Sequence, residues 1–219
     1  SEMPAPTIDE ITLADEPGAW EAMGFAVTGD SCRLGDVTIR LTGKGSERGI
    51  LSWSLRDLQD VELDGLPTSV STRPPQPLGA EHPNGVLGID HVVAMSPDFG
   101  RSVARIQEAG LDLRRVREVP TPAGAPRQAF FRLGREVLEL VEEPEEIVAR
   151  AGGPDRPVRF WGLALVAADL DRTVATLGEH VSDIREAVQP GRHIATVRRS
   201  AGLAVAVALM SPDERAEDR

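Results

Sequence analysis

A pattern of spaced residues recurs along this chain, and the recurrence limits it to folds built from a repeated unit. Asp98, Phe99, Arg101, Val103 and Ile106 return as Asp169, Leu170, Arg172, Val174 and Leu177, each displaced by 71 positions. In both copies the apolar residues fall at i, i+4 and i+7, the spacing of one helix face. Ser96 with Pro97 just inside marks the start of the first helix, and Asp169 marks the second. Gly110 and Gly178 suit left-handed caps at the far ends. A strand-like run precedes each helix, "GIDHVVAM" and "FWGLALVA". Three strand-like segments follow each: "LRRVREV", "RQAFFRLG" and "REVLELVEE", then "IREAVQ", "HIATVRR" and "LAVAVALM". Each copy reads strand–helix–strand–strand–strand, an α+β pattern of βαβββ modules.

A weaker third copy opens the chain. "TIDEITLAD" parallels "GIDHVVAMS" with Glu10 where His91 stands, "PGAWEAMG" is a shortened helix, and "FAVTGDSCRLGDVTIRLTG" and "RGILSWSLRD" supply strands. The expected organisation is a degenerate module over 7–64, a Pro/Gly-rich linker over 65–86, modules over 87–147 and 157–212, and a polar tail over 213–219. "GKGSERG" lacks the strand-to-helix context of a phosphate loop and reads as a hairpin loop.

The balance of charge narrows the partners. A net charge of −11 repels phosphate backbones and anionic lipid heads, which argues against nucleic acid or membrane as the target. The longest apolar run, "GLAVAVALM", is far short of a membrane span. The single cysteine, Cys32, permits no internal disulfide. With no signal-peptide pattern at its start, the chain is expected in the cytoplasm.

The module that opens with "IDHVVAMSPD" and closes with "REVLELVEE" resembles the glyoxalase/bleomycin-resistance/extradiol-dioxygenase superfamily, also called vicinal oxygen chelate proteins. "ITLADEPGAWEAMGFAV" has the same character, and "GILSWSLRDLQDVELDGLPT" resembles a strand and loop of glyoxalase-like proteins. The likeness covers most of the chain, the linker and tail excepted. It implies cupped mixed sheets, in which two modules pair around a divalent metal held by residues of their first and last strands. By resemblance, His91 takes the first-strand ligand position and Glu139 the last-strand position, with Glu139 also able to move a proton. Such nitrogen and oxygen donors suit zinc, nickel, manganese or iron(II).

Two pairings remain open at the level of sequence. If modules two and three pair, the positions matching His91 and Glu139 fall on Gly162 and Val207, leaving two protein ligands. If modules one and two pair, Glu10 joins His91 and Glu139, while Arg40 takes the fourth place and binds a carboxylate substrate or salt-bridges Glu139. Trp53 and Trp161 are candidate aromatic walls for a substrate, with core packing as the competing reading. His82, His180 and His193 belong to no constellation, and surface placement is expected for them.

Three functions follow. The first is a superfamily enzyme with a metal site, catalysing lyase, isomerase or dioxygenase-like chemistry on a small organic molecule. The second is a metal-free binder resembling drug-sequestering members, with the acidic surface attracting a cationic ligand. The third is a partly structural role for module three, in a homodimer that supplies the odd module with a partner.

Overall fold

The computed structural model describes residues 4–79, 81–122 and 124–213, so most of the expected tail lies outside the described residues. The first copy comprises β1 (Thr7–Leu13), α1 (Pro17–Ala22), β2 (Val27–Thr28), β3 (Ser31–Leu34) and β4 (Val37–Leu41), followed by β5 (Ile50–Arg56) and β6 (Thr68–Ser71). The second comprises β7 (Val86–Ser96), α2 (Phe99–Glu108), β8 (Asp112–Glu118), β9 (Arg127–Leu133) and β10 (Glu136–Glu142). After α3 (Glu145–Arg150), the third runs β11 (Arg159–Ala167), α4 (Leu170–Leu177), β12 (Arg185–Glu186), β13 (His193–Thr196) and β14 (Ala206–Met210).

The strands form two mixed sheets. One has six strands in the order β2-β3-β4-β1-β5-β6, and the other eight in the order β12-β13-β14-β11-β7-β10-β9-β8. Modules two and three therefore pair with each other, through the antiparallel seam of β7 against β11. Within each module the first strand lies parallel to the last: β1 with β4, β7 with β10, β11 with β14.

Module one finds its partner inside the chain. β5 runs antiparallel to β1, as β11 does to β7, and β6 lies parallel to β5, as β14 does to β11. The pair β5–β6 thus stands where the first and last strands of a fourth module would. The odd module count no longer calls for a second copy. β6 also falls within the stretch expected to be a Pro/Gly-rich linker. Other parts of that stretch are tied down: His82 accepts from the Ala26 N–H at 3.0 Å, and Asn84 donates to the Met23 carbonyl at 3.0 Å. His82 is buried rather than on the surface. The "GKGSERG" segment is a crossover past β1, not a hairpin, since β4 and β5 flank β1 on opposite sides.

Strand alternation places the core. Val92, Ala94, Phe131, Leu133, Leu138, Leu140, Leu163, Leu165 and Leu209 are buried in one apolar cluster with Ile106 of α2, Leu170 of α4 and residues of the six-stranded sheet. α4 starts at Asp169 as expected, its carboxylate accepting from the Arg172 N–H at 3.1 Å. α2 starts two residues later than Ser96 suggested: Asp98 is the cap, accepting from Arg101 N–H at 3.2 Å, while the Ser96 hydroxyl accepts from Asp98 N–H.

One buried acidic group lies on the border of the two sheets. Glu136 of β10 meets Asp36 in the β3–β4 turn; burial, then the hydrogen bond and charge of Asp36, push the Glu136 carboxyl up to about 9. The folded chain holds this proton more tightly than the unfolded chain. Its contribution to stability is therefore complete below about pH 4.5 and lost as pH rises through about 9. The melting temperature is expected to fall across that window, and Glu136→Gln is expected to flatten the fall in thermal denaturation at stepped pH.

Candidate functional site

The outward face of the eight-stranded sheet curves around a cavity of about 860 Å³ lined by both modules. Sheet register arranges its floor. Arg132, Val137, His91 and Ala164 lie side by side across β9, β10, β7 and β11, and Phe130, Glu139, Val93 and Gly162 form the adjoining row.

Two irregularities of the β7–β11 seam place site residues that alternation alone would misplace. His91 pairs with Ala164 but Ile89 pairs with Leu165, so Asp90 is an extra residue in its strand. That bulge lets Asp90 and His91, sequence neighbours, meet in one network. Trp161 is the extra residue on the other strand, since Phe160 pairs with Ala94 and Gly162 with Val93. It stands at the rim, 55% exposed, with the Arg159 guanidinium 5.4 Å from its ring centroid.

The floor is a chain of alternating charge. Arg192 Nη1 lies 3.0 Å from Asp90 Oδ1, Asp90 Oδ2 accepts from His91 Nδ1 at 2.7 Å, and His91 Nε2 lies 2.9 Å from Glu139 Oε2. Arg192 is buried and also donates to the Ser211 carbonyl at 2.7 Å and to Gln189 Oε1 at 3.2 Å. Burial works against a charged His91 and is the largest effect, but the hydrogen bonds and charges of Asp90 and Glu139 together outweigh it and raise His91 to about 9. Imidazolium is the resting form at neutral pH, and it donates to both carboxylates.

The same bulge occurs in module one. Ile8 pairs with Leu55 and Glu10 with Ser54, leaving Asp9 extra, and the buried Arg56 donates to Asp9 at 2.8 Å. Each "Ile-Asp" therefore marks a bulged aspartate captured by a buried arginine from a distant strand or loop. Asp90 and Arg192 escaped the sequence reading; the repeated dipeptide was the signal available for Asp90, and nothing local marks Arg192.

The other expected residues are scattered. Glu10 lies on the six-stranded sheet, paired with Arg40 at 3.3 Å and Arg73 at 2.8 Å, and Arg40 also meets Asp30 at 2.8 Å. Neither reaches His91 or Glu139, because module two pairs with module three. Trp53 is buried in the core, donates to Thr68 Oγ1 at 2.8 Å and packs edge-on against Phe160 at 5.3 Å. It joins the two sheets and lines no part of the cup. His193 is exposed and His180 half-buried. Cys32 is buried, and burial pushes its thiol up to about 12, which removes it as a nucleophile.

Register also corrects the expected module-three equivalents. Gly162 pairs with Ala206 as His91 pairs with Val137, so Ala208, not Val207, matches Glu139. Val207 belongs to the buried core cluster, while Ala206 is exposed and Ala208 half-buried on the cavity side. Neither Gly162 nor Ala208 offers a donor, and a Cβ at position 162 would lie 2.4 Å from the Ala206 carbonyl oxygen. Among the described residues no three His, Cys, Asp or Glu side chains converge as a metal set. A catalytic zinc ordinarily takes three protein ligands; His91 and Glu139, 2.9 Å apart and bonded to each other, do not fit that set.

The architecture has counterparts among solved structures. A mutant of 4-hydroxymandelate synthase from Streptomyces coelicolor aligns over 96% of this chain and 93% of its own, with 15% identity and a TM-score of 0.63. A fusion protein of a xylose isomerase-like TIM barrel with 4-hydroxyphenylpyruvate dioxygenase aligns over 98% of this chain and 51% of its own, with 12% identity and a TM-score of 0.61. The chain has the vicinal oxygen chelate fold. Methylmalonyl-CoA epimerase from Mycobacterium tuberculosis aligns over 62% of this chain and 94% of its own, at 17% identity and a TM-score of 0.47. No protein-family model matches. A stretch of 73 residues is 37% identical to UDP-N-acetylmuramoylalanine–D-glutamate ligase from Symbiobacterium thermophilum, which covers 33% of this chain and 16% of the ligase. Among the described residues no helix is long and apolar enough to cross a membrane.

Within this fold the buried charge chain makes a sharp expectation. Arg192→Gln removes one of the two cationic partners of buried Asp90, leaving His91, and is expected to lower stability in denaturant titration by less than the roughly 3–5 kcal/mol of a fully unpaired buried charge. Asp90→Asn is expected to lower the His91 titration midpoint, measured by NMR, from its value near 9. In the parent, His91 stabilises the fold fully below about pH 6.5, and that contribution is lost as pH rises through about 9.

Proposed function

We propose that this chain is a metal-independent small-molecule-binding protein whose ligand occupies the cup between modules two and three. The observation that carries the reading is the asymmetry of the cup. Module two presents His91 and Glu139, whereas module three presents Gly162 and Ala208 at the equivalent positions. Ile194 and Met210 extend that apolar wall. An apolar cleft with a few convergent polar groups is the usual form of a small-molecule site. The acidic exterior does not carry into the cup, where six arginines stand against four carboxylates. A cationic ligand, expected from the net charge, therefore meets the wrong sign.

A second reading has its own support: Glu139 lines the cavity and accepts from a histidine held as imidazolium. In that position Glu139 would take a proton from carbon beside a carbonyl and return it, giving isomerisation or epimerisation. Deuterium uptake from solvent into a bound carbonyl compound, abolished by Glu139→Gln, distinguishes this from binding alone.

Metal analysis tests the first reading. Protein purified without tag or chelator, then offered nickel, zinc, manganese and iron(II), is expected to retain substoichiometric metal by mass spectrometry. Organic ligands are expected to raise the melting temperature, by the equivalent of about 2.7 kcal/mol at 100 times Kd. Ala208→Trp, which fills the cup, is expected to cancel that rise. Near-stoichiometric metal lost in His91→Ala would overturn the reading.

A further inference from the structure

The cationic lining of the cup is not spread evenly. On the floor, the carboxylates of Asp90 and Glu139 are already engaged, by Arg192 at 3.0 Å and by the two ring nitrogens of His91 at 2.7 and 2.9 Å. On the β8–β9 side stand Arg115, Arg117 and Arg132, and among the described residues none of them lies within ion-pair distance of a carboxylate. Arg115 and Arg117 crowd the same aromatic ring, with guanidinium carbons 4.6 and 4.9 Å from the Phe130 centroid. Arg117 Nε is held by Gln128 Oε1 at 2.6 Å. Burial first, and then the charge of Arg115, lower the Arg117 pKa, outweighing the opposing charge of Glu139. In a chain of net charge −11 such clustering is not background. The opposite side of the cup carries Ala206, Ala208, Ile194 and Met210, with Trp161 at the rim.

We propose that the β8–β9 wall is an anion subsite, and that the ligand is an amphipathic organic anion. Its carboxylate or phosphate group is bound by Arg115, Arg117 and Arg132, while its apolar body lies along β13 and β14. Planar guanidinium groups suit both kinds of head group. This assignment rests on the cup being the binding site, and goes beyond it by naming the class of ligand.

Two fluorescent probes with the same body separate these levels: 8-anilinonaphthalene-1-sulfonate, which is anionic, and N-phenyl-1-naphthylamine, which is neutral. Fluorescence titration is expected to show the anion bound at least about tenfold more tightly, as one charge-assisted contact would give. The double variant Arg115→Gln/Arg117→Gln is expected to remove that preference and leave the neutral probe unchanged. Arg117→Lys retains part of it, and Arg172→Gln, a control on exposed α4, retains all of it. Octanoate and octyl phosphate are expected to displace the anionic probe, and the stronger competitor identifies the head group. Equal binding of both probes, insensitive to the arginines, would overturn the anion subsite and leave the binding cup standing. If neither probe binds, or Ala208→Trp leaves both bound, both readings fail.

Discussion

The seam between β7 and β11 is the constraint on which the cup depends. Each module alone is a four-stranded sheet with one face on the core and one face open. Antiparallel pairing of the two first strands joins them edge to edge into eight strands, hides two edges that would otherwise recruit another strand, and makes one concavity from two open faces. The seam is also where the sheet is irregular. Asp90 and Trp161 are single extra residues on opposing strands, and each is turned to a position that regular alternation would deny it.

The bulge at Asp90 determines the electrostatics of the floor. A buried aspartate needs a cation, and Arg192 supplies one from the segment before β13. With that pair in place, Asp90 raises the proton affinity of His91, and His91 in turn holds Glu139. The site is thus a paired, hydrogen-bonded chain rather than a set of open donors. In module one the same device joins Asp9 to Arg56 and Arg73, and the neighbouring Glu10 is taken by Arg40 and Arg73. One motif serves as a structural clasp in one sheet and as the support of a site in the other.

Much of the fold was legible because it is repetitive. The 71-residue displacement, the helix faces of Val103 and Val174, and the caps on α4 follow from local periodicity and backbone chemistry. His91 and Glu139 were singled out by family resemblance, and the structure sets them 2.9 Å apart on neighbouring strands β7 and β10. What escaped depends on contacts between distant segments. Nothing near Arg192 points to Asp90, and nothing in "RGILSWSLRD" says that β5 will stand in for a missing module. The confusion of Val207 with Ala208 arose because a strand of alternating valine and alanine fits either face until its register is known. Net charge describes the whole surface and hides the six arginines of β8, β9, β12 and the segment before β13 that converge on one cavity.

The cup is proposed to select an organic anion without help from a metal. Native mass spectrometry of the protein as isolated from cells, without chelator, tests this most directly. The predicted result is a bound organic acid or phosphate ester, released on denaturation and absent from Arg115→Gln/Arg117→Gln, on protein free of transition metal. A stoichiometric divalent metal bound through His91 and Glu139, with no dependence on Arg115 or Arg117, would contradict it.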